Sequence, residues 1–420
     1  MTNPSGPRSR PIVVQKFGGT SLADIAKLRT VAERVVATRH RDCDVVVVVS
    51  AMGSTTDELL SMARELHAAP PRRELDVLVS SGERISMALL SMAVGELGCD
   101  AVSLSGAQSG IRTDKNHFGA RISGVRPARV LRELAAGRVV VVAGYQGEAP
   151  DGDVTTLGRG GSDTSAVALA AALEALRCEI YSDVQGVFSA DPRIVDDAQL
   201  LDRVTYDEMI AFAHSGASVL DRRAVEHAAT HRVELHARPA FGAGAGTVIG
   251  PPLADASEAQ AGDGHAPVTG VAGHRQLLRL RFRDDGVDEG LARELEAAVG
   301  VSALPFSGES TRSSRTLLFP ADELPASVEL AADLGRSFER DIQVDDGLGS
   351  VSVIGLGIGG CESRRRRTRQ VTVRHRIPVD DEHAVDHAYT LLVERSTVLP
   401  AIRSIHDALV PADGASPPPA

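Results

Sequence analysis

The stretch Thr155–Asp191, TTLGRGGSDTSAVALAAALEALRCEIYSDVQGVFSAD, decides how the rest of the chain is read. It opens on a turn where Gly158, Gly160 and Gly161 permit backbone conformations closed to other residues and let a ligand come close to main-chain N–H groups. From Asp163 to Leu176 an alanine-rich pattern predicts a helix. Its N-terminus faces the glycine turn, and the unpaired N–H donors and positive dipole end there suit an anion. The run CEIYS then predicts a strand, and DVQG a second turn. One unit thus offers two turns to a single ligand region.

Upstream, Pro11–Lys16 is a short apolar strand, followed by the turn FGGTS and a helical pattern from Leu22 to Val36. The spacing is not that of a P-loop, because the lysine precedes the glycines. Two readings stand: a phosphate cradle in which Gly18 and Gly19 supply N–H groups and Lys16 a point charge, or an ordinary turn between strand and helix. The basic residues are nearly all arginine, with lysine only at Lys16, Lys27 and Lys115, which draws attention to Lys16.

The run DVVVVVS from Asp44 to Ser50 has the β-branched composition of a strand buried on both faces of a parallel sheet. In open α/β sheets ligands gather beyond the carboxyl ends of strands, so Ser50, Thr55 and Thr56 become candidates. Helix capping by Thr55 or Thr56 is the competing account. LDVLVSSGERISMALLSMAV repeats the pattern, with Glu83 just past a turn glycine at the start of a helix, either as a site residue or as a capping carboxylate. A strand AVSLSG, a polar stretch carrying Lys115 and His117 as exposed loop charge, the helical VRPARVLRELAAG and the strand RVVVVAGYQG follow. Strand and helix alternate throughout. The expected fold is a three-layer α/β domain on a mostly parallel sheet.

With 420 residues the chain has room for about two or three domains. The net charge of −11 argues against a general nucleic-acid partner. No apolar run reads as membrane-spanning and the N-terminus MTNPSGPRSRP has no signal-peptide core, so a cytoplasmic protein is expected. Cys43, Cys99, Cys178 and Cys361 fit neither a disulfide framework nor a zinc pair, and no residues are assigned to a protein-held metal.

KFGGTS, VVVSAMGSTTDELL, SSGERIS, GYQG, TTLGRGGSDT and SDVQGVFSADPR, in this order, resemble the amino-acid-kinase fold and within it the aspartokinases. The resemblance covers roughly Val13 to Gly250, within a catalytic domain at 11–250, and implies ATP-dependent phosphorylation of the L-aspartate side-chain carboxylate to 4-phospho-L-aspartate, with Mg²⁺ accompanying the nucleotide. It implies that Lys16 and Asp163 are catalytic. Thr56, Glu83, Arg159, Gly160, Gly161 and Ser162 would bind the amino acid, with Arg159 on its α-carboxylate and Glu83 on its α-amino group. Lys16, Gly18, Gly19, Ser50, Ser182, Asp183, Phe188, Asp191, Arg193 and Ser218 would line the nucleotide. The chemistry is self-consistent: a carboxylate nucleophile with pKa near ~4 is already ionised and needs no general base. The obstacle is repulsion between two anions, so the site must supply positioning and positive charge.

Three residues depart from the family pattern. Ser218 stands where a lysine near the nucleotide is expected, Phe188 where a tyrosine is expected, and Gln185 where aspartate is frequent. Arg222 or Arg223 would be placed to make good the lost cation at Ser218. A regulatory homologue that senses amino acids, and a kinase for another acidic amino acid, are the alternatives these departures leave open.

After Gly250 the composition turns to Ala, Pro, Gly and Asp, giving a linker at 251–267. LLRLRF, the RTLLF run, SVSVIGLG and RQVTVRH are strand candidates, and GVDEGLARELEAAVG, ELPASVELAADLG and HAVDHAYTLLVE are helical ones. Their alternation resembles a pair of ACT domains of βαββαβ order, the first at 268–345 and a divergent second at 346–412, followed by a disordered tail at 413–420. The resemblance implies a lysine or threonine effector there and a homodimer or larger homo-oligomer. The arginines from Arg364 to Arg367 are expected in a solvated loop.

Overall fold

The computed structural model describes residues 10–252, 267–283, 303–304, 314–321 and 342–410. Two compact units divide them: the first takes those within Met1–Val187, Leu200–Tyr206 and Val219–Pro251, the second those within Phe188–Gln199, Asp207–Ser218 and Pro252–Ala420. The segments 188–199 and 207–218 thus lie before the composition change at Gly250 yet belong to the second unit.

The first unit begins β1 (Ile12–Phe17), α1 (Ile25–Arg39), β2 (Asp44–Val49), α2 (Thr55–Leu66), α3 (Arg72–Glu96), β3 (Ala101–Leu104) and α4 (Gly106–Ser109). It continues with β4 (Ile111–Thr113), β5 (Ile122–Val125), α5 (Ala128–Ala135), β6 (Val139–Ala143), β7 (Gln146–Glu148), β8 (Val154–Thr156), α6 (Gly161–Ala172) and β9 (Arg177–Ser182). After β10 (Arg203–Thr205), α7 (Tyr206–His214) leads into the second unit, and α8 (Arg222–His231), β11 (Leu235–Pro239) and β12 (Thr247–Gly250) complete the first.

Eight strands form the main sheet in the order β10-β12-β11-β9-β1-β2-β6-β3. Every neighbouring pair is parallel except β11 with β12. The valine runs explain the centre of this sheet, since strands covered on both faces need apolar side chains on both. Val45, Val47, Val49, Val139 and Val141 pack in one cluster with Leu28, Val31 and Val35 of α1 and Leu90 and Val94 of α3. The alternate residues serve the opposite face, where α6 packs on β1, β2 and β9 and α8 packs on α6. This is the expected three-layer arrangement. A small second sheet, β5-β4-β7-β8, stands beside it.

One element upstream differs from the sequence reading. LDVLVS is not a strand and Gly82 makes no turn: both lie inside the 25-residue helix α3. Gly82 is there for close approach, because a Cβ on it would sit 2.8 Å from the Cβ of Ala51. By length and apolar composition α3 would also pass for a membrane-spanning helix, contrary to the expectation that no run would. It carries buried Asp76 and Glu83 and packs on α1, β3 and β6, which makes it a core helix of this unit.

The described part of the second unit adds β13 (Gly270–Ala272), β14 (Leu277–Arg283), β15 (Ser314–Pro320), β16 (Ile342–Ile354), α9 (Glu362–Arg374), β17 (Val379–Val385), β18 (Ala388–Glu394) and α10 (Val398–Leu409). The strands make an antiparallel sheet, β15-β14-β16-β18-β17, with β13 on β16. Ala190, Ile194 and Val195 join Val351, Val353, Leu391, Val393, Ile402 and Ile405 in its core. The order β16-α9-β17-β18-α10 has the βαββα make-up of an ACT-like module.

Three expectations here are overturned. RQVTVRH is the end of helix α9, because Arg364, Thr368, Val371 and Thr372 are buried at helical spacing. The same helix contains the arginines from Arg364 to Arg367, which therefore do not form a loop. HAVDHAYTLLVE is not a helix but a hairpin in which Val385 pairs with Ala388 across Asp386 and His387. That two-residue connection has no glycine, so the usual hairpin signal was absent. The helical patterns GVDEGLARELEAAVG and ELPASVELAADLG, most of the linker and the tail lie outside the described residues.

Candidate functional site

Lys16 is the last but one residue of β1, in the middle of the main sheet, paired across to Val48 on one side and Ile180 on the other. Its Nζ lies 2.6 Å from Oδ1 of Asp163, with side chains only 12% and 11% exposed. Asp163 is in the first turn of α6, where the helix dipole favours a carboxylate. The chain turns after Lys16 through Gly18 and Gly19. A Cβ on Gly19 would lie 2.8 Å from the carbonyl oxygen of Ala51, so only glycine lets this turn close on the β2–α2 loop. The N–H of Gly18 donates to the Tyr181 carbonyl at 3.3 Å, so it is not the free donor expected from the motif. Gly19 heads a short 3₁₀ turn, whose first N–H groups have no partner within the turn.

The glycine turn before α6 is braced from α8. Gly160 sits at φ 69°, and a Cβ on it would fall 2.0 Å from Oδ2 of Asp221. Asp221 caps α8 by accepting from the N–H groups of Arg223 and Ala224. The Arg223 guanidinium donates to the carbonyl of Leu157 at 3.1 Å and to that of Arg159. The turn is therefore held from beneath while the Arg159 side chain is exposed. Arg223 is committed to this brace, and Arg222 pairs with Glu226 at 2.9 Å, so neither is the spare cation anticipated for Ser218. Ser162 is buried in the first turn of α6, against Gly144 at the end of β6.

Glu83 is 3% exposed, and its Oε1 accepts from the N–H of Ala51 at 3.2 Å. Its other oxygen, Oε2, is buried with no hydrogen-bond partner among the described residues. Burial raises its pKa to about 7 despite the Ala51 bond. It is neither at a helix start nor a cap, since it lies in mid-α3. Two turns earlier on the same helix, Asp76 is fully buried. It accepts from the N–H of Phe118 at 3.1 Å and the hydroxyl of Thr156 at 2.5 Å, and its Oδ2 lies 2.6 Å from Nδ1 of His117. His117 thus anchors its loop rather than adding exposed charge.

The β2–α2 loop joins these parts, because Ala51 touches Gly19, Gly82 and Glu83 in turn. A buried cation, a glycine turn with a helix N-terminus behind it, and a buried carboxylate with a free oxygen can receive a phosphate and a zwitterion together.

The amino acid kinase family model matches residues 11–236. The aspartokinase of Mycobacterium tuberculosis is 45% identical over 361 residues, covering 83% of this chain and 84% of its own length.

The chain belongs to the aspartokinases.

Two solved structures of E. coli aspartokinase III share the fold at 22% identity. The complex with aspartate and ADP has a TM-score of 0.76 and covers 94% of this chain and 99% of its own. The complex with lysine and aspartate has a TM-score of 0.71, with 95% and 99% covered.

The other expected residues of this aspartokinase are placed as follows. Ser50 follows β2, with its N–H on the Phe17 carbonyl at 3.2 Å. Thr56 is the second residue of α2 and half-buried; the N-cap is Ser54, so neither Thr55 nor Thr56 caps the helix. The Thr55 hydroxyl donates to the Met52 carbonyl at 2.6 Å instead. Ser182 ends β9 and Asp183 is exposed in the turn beyond it. Phe188, Asp191, Arg193 and Ser218 belong to the second unit. There the Arg193 guanidinium holds Asp191 by Nε to Oδ1 at 3.0 Å and Nη2 to Oδ2 at 2.8 Å, which keeps the Asp191 carboxyl below its usual range. Ser218 is exposed.

Asp76, Asp221 and the bracing role of Arg223 in this aspartokinase were not read from its sequence. Asp76 had a signal: it precedes Glu83 by two helical turns, a spacing that puts both on one face. The strand reading of LDVLVS hid it.

Proposed function

We infer that the aspartokinase reaction of this chain is run by the Lys16–Asp163 pair and the turns around it. The reaction transfers the terminal phosphoryl group of ATP to the side-chain carboxylate of L-aspartate, giving 4-phospho-L-aspartate. The observation that carries the assignment is the 2.6 Å buried ion pair at the carboxyl end of the central strand. Lys16 neutralises the transferring phosphoryl group, and Asp163 holds the ammonium in place for it. Gly19 gives the phosphate a backbone donor at a turn that a side chain would block.

Glu83 receives the α-ammonium of aspartate on its unpartnered oxygen, and Arg159 receives the α-carboxylate with the two-pronged geometry of a guanidinium. Thr56, Gly160, Gly161 and Ser162 shape the rest of the amino-acid pocket. The nucleophile is the already ionised side-chain carboxylate, so no residue need take a proton. Mg²⁺, carried on the phosphate oxygens of ATP, supplies charge neutralisation when bound. Rate enhancement comes from holding two anions in line between fixed cations.

Nucleotide roles for Gly18, Ser50, Ser182, Asp183, Phe188, Asp191, Arg193 and Ser218 rest on the family motifs. An amino-acid effector, lysine or threonine, at the ACT-like modules rests on the same resemblance and on the lysine complex of the E. coli enzyme. Hydroxylamine trapping tests the activity: ATP-dependent aspartyl hydroxamate is expected with L-aspartate. Its absence with wild-type protein, while glutamate gives product, would move the acceptor and overturn this assignment.

A further inference from the structure

In the second unit, helix α10 and the segment 188–199 bring Asp197, His406 and Asp407 together. One ligand atom from each lies within 4.8 Å of the others. His406 is 3% exposed, and its ring has two distinct sides. Nε2 lies 2.9 Å from Oγ of Ser189, and that oxygen also accepts from the N–H of Gln199 at 2.9 Å. Nδ1 is buried with no hydrogen-bond partner among the described residues, and the nearest carboxylate oxygen of Asp407 is 3.8 Å away, beyond hydrogen-bond reach. A buried ring nitrogen left unpaired costs free energy, on the order of 1–3 kcal/mol.

The two aspartates are exposed, and one of them differs from ordinary surface charge. Asp407 lies in the last turn of α10, the negative end of the helix dipole, where a carboxylate is disfavoured. A cation between the three groups removes both anomalies. It would take the Nδ1 lone pair and offset the dipole. With Nδ1 ligated, Nε2 carries the proton and donates it to Ser189 Oγ, the arrangement in which a metal-bound imidazole is fixed by its other nitrogen.

The geometry points to a divalent transition-metal site formed by His406 Nδ1, Asp197 and Asp407, three residues to which no part in phosphoryl transfer is assigned. One imidazole and two carboxylates suit zinc among the common divalent ions, with water completing a tetrahedron. Ligand atoms around zinc at about 2.0–2.2 Å stand roughly 3.4 Å apart, so the present spread closes by rotation of the two exposed aspartate side chains. The metal would staple α10 to the segment 188–199, adding to the 2.7 Å bond from Arg403 Nε to the Ile194 carbonyl.

The test uses the full chain stripped with a chelator and titrated with Zn²⁺ alone, without nucleotide, by calorimetry. The comparison is the double variant Asp197→Asn, Asp407→Asn, whose changes are exposed and keep side-chain volume. Losing first ligands should weaken binding of one Zn²⁺ per chain by roughly 10- to 100-fold or more. Zn²⁺ should raise the wild-type Tm by a few degrees and leave that of the double variant unmoved. Co²⁺ should give visible absorption bands in the wild type that the double variant lacks. Binding at other histidines is common to both proteins and cancels in the difference. Equal Zn²⁺ affinity and equal Tm shifts in the two proteins, or no Zn²⁺ binding by the wild type, would overturn the site.

Discussion

Lys16 Nζ and Asp163 Oδ1 meet at 2.6 Å across the end of the central sheet, each side chain about nine-tenths buried. A cation held this way is aimed before any phosphate arrives, and the mutual charge stabilises both partners where water is scarce. Lys16→Ala should lower kcat by roughly 10²–10³-fold or more, as loss of an aimed charge does elsewhere. Lys16→Arg should recover only part of this, because a planar guanidinium fork does not reproduce the compact point charge of an ammonium. Hydroxamate formation under saturating substrates measures both; unchanged kcat in Lys16→Ala would remove the lysine from the chemistry.

On the role proposed for Glu83, binding of aspartate is sensitive to pH. Its pKa of about 7 in the ligand-free protein, raised by burial, means that it must lose a proton to receive an ammonium ion. The KM for L-aspartate should therefore rise as pH falls below about 7 and level off above it. Glu83→Gln should raise KM and flatten this profile. Stability has the opposite sense. The folded state holds the proton more tightly than the unfolded one, so stability is lost as pH climbs from the ordinary carboxyl value of 4.5 to about 7. Glu83→Gln should accordingly raise the Tm of the ligand-free protein at pH 8, and a fall would contradict the burial argument.

Gly160 and Asp221 leave no room for a side chain between them. Gly160→Ala places a Cβ 2.0 Å from Oδ2 of Asp221 at a backbone angle that already costs roughly 1 kcal/mol for alanine. Activity should fall sharply, with KM for aspartate rising more than KM for ATP. Combining it with Asp221→Ala should restore part of the lost activity, since the steric partner is gone; failure of any recovery would place the damage in the backbone angle alone.

Arg223 is predicted to act through the turn it holds. Arg223→Ala frees the carbonyls of Leu157 and Arg159, and should raise KM for aspartate about tenfold with a smaller effect on kcat. Arg223→Lys, with one point of attachment instead of a fork, should fall between. An equal loss in kcat and kcat/KM would show that Arg223 works in the transition state instead.

Asp76 is a stability residue with reach. Asp76→Ala strands the N–H of Phe118 and the hydroxyl of Thr156 and releases His117, which should cost roughly 3 kcal/mol or more. Thr156→Val removes one of these bonds together with its donor and should cost less. Denaturant midpoints decide between them, and equal losses would refute the shared anchor.

The sheet was legible because its valine runs admit only strands covered on both faces, and the glycine turns at Gly18 and Gly160 stood at strand ends where ligands gather. Lys16 was singled out for the same reason, whereas Glu83 was picked out beside a glycine that lies in mid-helix, and the role of Asp163 came only from the resemblance. What escaped were relations between distant segments. No local pattern says that Arg223 will reach back to Arg159, or that Gly82 is glycine for contact with Ala51 instead of for a turn. β-Branched runs also misled in both directions. RQVTVRH follows its helical burial spacing in spite of composition, and HAVDHAYTLLVE pairs as strands around Asp386 and His387 without a glycine to announce it.

Helix α3 behaves as a ruler. Asp76 and Glu83 stand about 10 Å apart along one rigid rod, one tied to the loop through His117 and Phe118, the other to the β2–α2 loop through Ala51. On the roles proposed above, the carboxylate that meets the ammonium group cannot be re-aimed without dragging the loop at the far mark. A route to longer or shorter acceptors therefore runs through Arg159, exposed on a turn that is no part of the rod.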